Sequence, residues 1–171
     1  LGRNEKVSRV FVTAMPKTLV GGRLKQLDRL KVDPVFVDLD AFGLVSALGA
    51  SGALAAHPNG VAAHLDGARA RFIVVEGGKL RSARSVLLAA GEDGPSSGRI
   101  AQELVRTVSQ AAPKDLPDIV WLTGDASNDP GLRAAVEARL GIACEPLDLL
   151  AVCGAGAAAS RCSRNACNKA A

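Results

Sequence analysis

The sequence predicts an α/β protein built on a mixed sheet with flanking helices, and three observations support this. Short runs rich in β-branched residues alternate with segments whose apolar side chains recur at helical spacing. Two of the runs are joined by Glu76-Gly77-Gly78-Lys79, a tight hairpin signal that demands an antiparallel pair. The run at 118–123, DIVWLT, has no polar interruption, as expected of a strand covered on both faces. Hairpins and crossover helices together require a sheet with both kinds of pairing.

The elements follow in order. Residues 7–14, VSRVFVTA, have the period-two pattern of a strand that Pro16 ends. Val20, Leu24, Leu27 and Leu30 form a helical stripe, leaving Arg23, Lys25, Asp28 and Arg29 to water. Residues 31–39 read as a turn and a buried strand, PVFVDL. Asp40 is placed to cap a helix, AFGLVSAL, packed through Phe42, Val45 and Leu48. The small, polar stretch 49–60, with Pro58-Asn59-Gly60, reads as a loop, and a domain boundary is expected at 51–60. Three strands follow, VAAHLD, ARFIVVE and KLRSARSVLL, then a loop at 91–98. Ser96 or Ser97 can cap a helix at 99–112 with the stripe Ala101, Leu104, Val105 and Val108. After the strand at 118–123 comes a loop at 124–128. Asp129 is then a natural N-cap with Pro130 at the first helical position, and Leu132, Val136 and Leu140 face inward. Gly141 stops that helix, and 142–148 is one more strand. Phe11, Phe36, Phe42, Phe72 and Trp121 all sit in apolar runs and read as core.

Composition narrows the function classes. The 171 residues are 48% hydrophobic and 22% charged, which is globular rather than disordered. The net charge is +4, and Arg161, Arg164 and Lys169 in an acid-free tail account for +3 of it. Only 3% of residues are aromatic, so the stacking platforms of a nucleic-acid binder are missing and no nucleic-acid partner is expected. The longest weakly polar run, 149–159, is far shorter than the roughly 20 residues that span a bilayer, so no direct membrane insertion is expected. Met15 is the single methionine, so the chain reads as a processed product or a fragment.

Motifs exclude more than they assign. Cys144, Cys153, Cys162 and Cys167 lack the paired spacing of a zinc site and read as unpaired thiols in a reducing cytoplasm. His57 and His64 have no ligand partners at metal spacing, and no metal site is expected. Asp38 and Asp40 alternate faces at a strand end, one a cap and one a solvated acid. There is no P-loop and no nucleophile elbow. Cys153 to Ala159 imitates a dinucleotide fingerprint, but no second strand follows, and a closely packed Ala/Gly-rich terminal helix is the better reading. Leu-Thr-Gly124, a small polar loop and Asp-Pro-Gly-Leu form a joint of another kind. There a strand feeds a helix N-terminus whose N–H groups can take a phosphate.

Three blocks in this order resemble the PilM/GspL-like family of the actin-like ATPase superfamily. They are 10–48 (VFVTAMPKTLVGGRLKQLDRLKVDPVFVDLDAFGLVSAL), 64–87 (HLDGARARFIVVEGGKLRSARSVL) and 119–149 (IVWLTGDASNDPGLRAAVEARLGIACEPLDL). The resemblance implies an actin-like (ribonuclease H-like) fold in an incomplete two-domain arrangement. Residues 1–50 would be the end of domain I, including a β-α-β subdomain, and 51–60 a linker. Residues 61–150 would be domain II lacking most of its subdomain IIB, and 151–171 an Ala/Gly-rich basic tail. It also implies a nucleotide site at His64, Asp66, Gly67, Gly124, Asp125 and Ala126, with departures. An ungapped match puts His64 and Asp66 where the family's second phosphate loop reads Asp-x-Gly, although a one-residue shift would restore an aspartate at Asp66. Imidazole then replaces a water-orienting carboxylate, and an aspartate replaces a glycine beside phosphate. Arg69-Ala70-Arg71 replaces the family's threonines, and Asp125 and Ala126 replace glycines after Gly124.

Two functions follow from the resemblance. The first is a cytoplasmic scaffold of a type IV pilus or type II secretion platform, peripheral at the inner membrane through its partners. It would bind the tail of an inner-membrane assembly protein and neighbour the secretion ATPase, with no catalytic residue and no resident cofactor. The second is an active ATPase or sugar-kinase-like phosphotransferase using ATP and Mg²⁺, which needs two phosphate loops and a metal-holding carboxylate. An inert fragment of a larger reading frame is the third.

Overall fold

The computed structural model describes residues 10, 12–67, 69–88, 96–125 and 127–152. The chain divides into two compact units, Leu1–Asp38 and Leu39–Ala171. Phe11, Ala126, part of the loop expected at 91–98 and the tail with Cys153, Cys162 and Cys167 lie outside the described residues.

The first unit holds one helix, α1 (Lys17–Arg29), which buries none of its residues. Lys31 turns the chain with a positive φ of 57°, and the Val32 N–H donates to the Leu27 carbonyl at 2.9 Å. The strands expected on either side of α1 are not formed among the described residues, so the β-α-β subdomain is corrected to a helix between irregular segments. A β-branched run fits a pleated, half-buried surface, and without a ladder partner its preference has nothing to act on. Val35 is fully exposed and Phe36 is 79% exposed, so Phe36 is not a core residue.

The second unit is a five-stranded sheet in the order β3-β2-β1-β4-β5, from β1 (Gly60–Asp66), β2 (Arg69–Glu76), β3 (Lys79–Leu87), β4 (Ile119–Gly124) and β5 (Ala143–Pro146). β1, β2 and β3 pair antiparallel, whereas β1–β4 and β4–β5 are parallel, as the mixed class requires. Gly77 and Gly78, both at positive φ, make the β2–β3 turn.

Period-two alternation sends side chains to both faces, and both are covered. Val61, Ala63, Leu65, Phe72, Val74, Val120 and Leu122 pack under α4 (Ser97–Ala111) and α5 (Pro130–Leu140). Ala62, Ile73, Val75, Ile119 and Trp121 pack under α2 (Asp40–Ala50) through Ala41, Leu44 and Leu48. Caps mark the helix ends. Ser96 accepts from the Arg99 N–H, Asp129 accepts from the Gly131 N–H at 2.8 Å, and Gly141 ends α5 at φ 67°. Arg81 ties β3 to the end of α4 by donating to the Ala111 and Ala112 carbonyls. Arg84 pairs with Glu103 on α4 at 2.8 Å.

The division between units falls at Asp38 and Leu39, not at 51–60, because burial of Ala41, Leu44 and Leu48 fastens α2 to the sheet. The stretch 51–60 itself contains a short helix, α3 (Ala53–Ala56). Phe42 and Val45 are only half-buried, so the inward stripe of α2 is turned from the expected one. Asp40 is not a cap. Leu39 holds the N-cap position, and the Asp40 carboxylate pairs with Arg71 on β2. β5 leads to a final turn of helix, α6 (Leu149–Val152). Cys144 on β5 is a buried free thiol, and burial followed by nearby Glu137 pushes its pKa up to about 11, so it stays protonated and unreactive.

Truncating Leu48 to alanine removes a fully buried side chain from the α2–sheet contact. It is expected to cost about 2–5 kcal/mol in urea unfolding. Phe36→Ala in the first unit should change stability by under about 0.5 kcal/mol. Equal effects would contradict the assignment of α2 to the body.

Candidate functional site at the carboxyl ends of two parallel strands

β1 continues into β2 on one side of the sheet, and β4 leads into β5 on the other, so the connections diverge between two parallel neighbours. In open α/β sheets a crevice opens at the carboxyl ends of strands where the order reverses in this way. The register places His64 beside Thr123 and Leu65 beside Gly124, which brings the turn after β1 against the loop after β4.

Gly124 makes this approach possible. Its φ is 84°, and a Cβ there would lie 2.0 Å from the Leu65 carbonyl oxygen. Two hydrogen bonds then stitch the loops together. The Asp125 N–H donates to the Leu65 carbonyl at 3.0 Å, and the Gly67 N–H donates to Asp125 Oδ2 at 2.9 Å. One residue thus closes the joint through both its backbone and its carboxylate. Ser127 N–H returns to the Gly124 carbonyl at 3.2 Å, and the Leu147 N–H after β5 donates to the Leu122 carbonyl at 2.8 Å.

Deeper in the joint, Thr123 is fully buried, and its hydroxyl shares a 2.9 Å hydrogen bond with His64 Nδ1. Burial lowers the His64 pKa below 6.5, helped by the Arg71 guanidinium on the paired strand and opposed by Asp66, Asp125 and Asp40. The imidazole is therefore neutral at pH 7. Arg71 pairs with Asp40 and lies 3.9 Å from Asp66.

The crevice is open and has a volume of about 700 Å³. His64, Gly124, Asp125, Ser127, Asn128 and Asp148 are among its walls, with Pro146, Leu147 and Leu149 on the β5 side. Its charged lining is anionic, with no Lys or Arg among these residues. A phosphate about 4 Å from one such carboxylate is repelled by about 1 kcal/mol in water and about 4 kcal/mol near a protein surface. The Gly67 N–H at the edge of the crevice already serves Asp125. Among the described residues no group of three His, Cys, Asp or Glu side chains could hold a metal ion.

Of the residues singled out from sequence, His64, Gly124 and Asp125 line the crevice, and Gly67 is bonded to Asp125 at its edge. Asp66 points to Arg71 and is not in the lining, and Ala126 lies outside the described residues. His57 is half-buried after α3, away from the site. Sequence reading missed Thr123, Asp148 and the bracing role of Arg71. Thr123 had a usable signal, as the one hydroxyl ending an otherwise apolar buried run.

No protein-family model matches the chain. No curated protein is significantly similar to it in sequence. Solved structures do match. A chain of the PilM–PilN type IV pilus biogenesis complex superposes with a TM-score of 0.57 at 22% identity, covering 78% of this chain and 48% of that one. A Bacteroides thetaiotaomicron protein with an actin-like ATPase fold and unknown function has a TM-score of 0.47 at 15% identity, covering 61% and 37%. The ROK hexokinase of Thermus thermophilus has a TM-score of 0.42 at 17% identity, covering 53% and 33%. The mixed α/β fold with its five-stranded sheet is similar to that of the solved PilM–PilN chain, and this chain spans about half of that chain's length.

The unfolded chain takes up the His64 proton near pH 6.5, and the folded protein does so only at lower pH. The contribution of His64 is thus complete above 6.5 and declines as pH falls from there through the folded value. Thermal unfolding of the wild type should lose stability across that window faster than His64→Gln. Parallel pH profiles would contradict the buried, neutral imidazole.

Proposed function

We propose that this chain is a scaffold of the PilM/GspL kind: a protein-binding component of a type IV pilus or type II secretion platform, cytoplasmic and held at the inner membrane through its partners. In this reading the actin-like fold is kept for shape and the nucleotide site is degraded. The observation that carries it is the Gly67 N–H donating to Asp125 Oδ2. A backbone donor at the turn that would cradle phosphate is occupied by the protein's own carboxylate, and a second carboxylate, Asp148, lines the same crevice. A fold without its site supplies no activity.

The likeness to a chain of the PilM–PilN complex supports a partner of the PilN type, the tail of an inner-membrane assembly protein. The first unit is the proposed contact. Its segment 34–39, PVFVDL, combines strand propensity with fully exposed Val35 and largely exposed Phe36 and Val37, which an extended peptide could pair with by strand addition. No helix among the described residues is long and apolar enough to cross a membrane, which is consistent with attachment through partners.

Titration with a fluorescent ATP analogue and Mg²⁺ should show no saturable binding in the micromolar range. Saturation in that range would favour the ATPase or kinase reading. Immobilised tails of inner-membrane pilus or secretion proteins should capture the chain, and Phe36→Asp should weaken capture by about tenfold, the scale of losing one interface anchor. Capture unaffected by Phe36→Asp would move the contact elsewhere.

A further inference from the structure

The net charge of +4 is unevenly placed. Residues 1–38 hold eight basic and four acidic side chains, residues 39–152 hold ten and thirteen, and the tail holds three and none. The first unit is therefore cationic, whereas the second unit is anionic over 39–152 and balanced by its tail, a segregation the overall charge conceals.

Within the first unit the positive charge concentrates on α1. Lys17, Arg23, Lys25 and Arg29, with Lys31 in the turn after the helix, stand against Asp28 alone. The helix buries nothing, and Leu19 is 61% and Leu30 72% exposed, with Leu24 and the preceding Met15 also outward. At helical spacing Leu19, Arg23 and Leu27 share one row leading to Leu30 at the C-cap, and Val20, Leu24 and Leu27 the next, with Lys31 in the turn that follows. Cations thus interrupt and border the leucine surface rather than occupying only the opposite face. Long basic side chains in such positions bury their methylene stems along an apolar surface and lift their charge to its polar boundary.

We propose that α1 is a docking surface for an anionic phospholipid bilayer, lying in the headgroup layer with its leucines toward the acyl chains and Arg23, Lys17 and Lys31 on the phosphates. The charge complementarity favours this occupant, because a lipid surface offers negative charge over apolar chains along the helix's whole length. The proposal is independent of the scaffold reading. It concerns direct contact with lipid and holds or fails without any protein partner.

The test is co-sedimentation of the full chain with mixed phosphatidylglycerol–phosphatidylcholine vesicles and with phosphatidylcholine vesicles alone. Binding is expected to the anionic vesicles, about tenfold or more above the neutral ones, and to fall as salt rises. Arg23→Gln with Lys31→Gln should lower it by about tenfold or more, since each cation near the surface contributes severalfold. Leu19→Ser with Leu30→Ser should also lower it. Neither pair removes a buried side chain, so the body should unfold at an unchanged temperature. Arg161→Gln with Arg164→Gln in the tail should leave binding nearly intact. The proposal is overturned if anionic vesicles do not bind, if neutral vesicles bind equally, or if the tail substitutions abolish binding while the α1 substitutions do not. It is also overturned if the chain binds only an acidic polypeptide such as polyglutamate.

Discussion

The parallel pairing of β1 with β4 is the constraint on which the candidate site depends. It places Leu65 beside Gly124, and only a residue without a Cβ fits 2.0 Å from that carbonyl oxygen. Once the chains approach so closely, the next residue, Asp125, is delivered to the turn after β1. There its N–H and its carboxylate each find a backbone partner. The His64–Thr123 bond one register position back fills the interior of the same joint and leaves no buried hydroxyl unpaired. These bonds join two loops far apart in sequence, so the crevice they border is a property of the sheet.

The same arrangement sets the charge of the crevice. Positive φ at Gly67 and Gly124 exposes backbone in a manner suited to an anion, yet the nearest charge is Asp125, and Asp148 adds to it across the opening. Arg71 does not redress the balance, because Asp40 and Asp66 hold its guanidinium. Charge segregation has a second consequence, since the cationic surface lies in the first unit and the anionic crevice in the body. The proposed lipid surface and the proposed loss of phosphate binding therefore rest on different residues.

The body was legible in the sequence where local chemistry and tertiary demand agree. The Gly77-Gly78 hairpin, the Ser96 and Asp129 caps, Pro130 at a helix start and Gly141 at a helix end all act within a few residues, so their signals survive any packing. The first unit was misread because strand propensity is a statement about neighbours. The run 34–39 looks like a buried strand, but it is not a strand among the described residues and exposes Val35 and Phe36. The boundary was misplaced for a related reason. Small residues at 49–60 mimic a linker, while the burial of Leu48 that fixes α2 to the body depends on contacts with Ile73, Val75 and Trp121 much later in the chain. His64, Gly124 and Asp125 were found through the family resemblance. Arg71 and Asp148 reach the joint only through strand register and the turn after β5, which sequence spacing does not encode.

The central proposal is that the protein's own carboxylate closes the turn where the resemblance would put phosphate. It is tested most directly by following the Gly67 amide resonance by NMR during titration with ATP and Mg²⁺. With the donor held by Asp125, the resonance should stay in place through millimolar ATP, and Asp125→Ala should move it in the absence of nucleotide. A wild-type Gly67 shift that saturates at micromolar ATP would contradict the account, because the donor would then be free to serve a nucleotide.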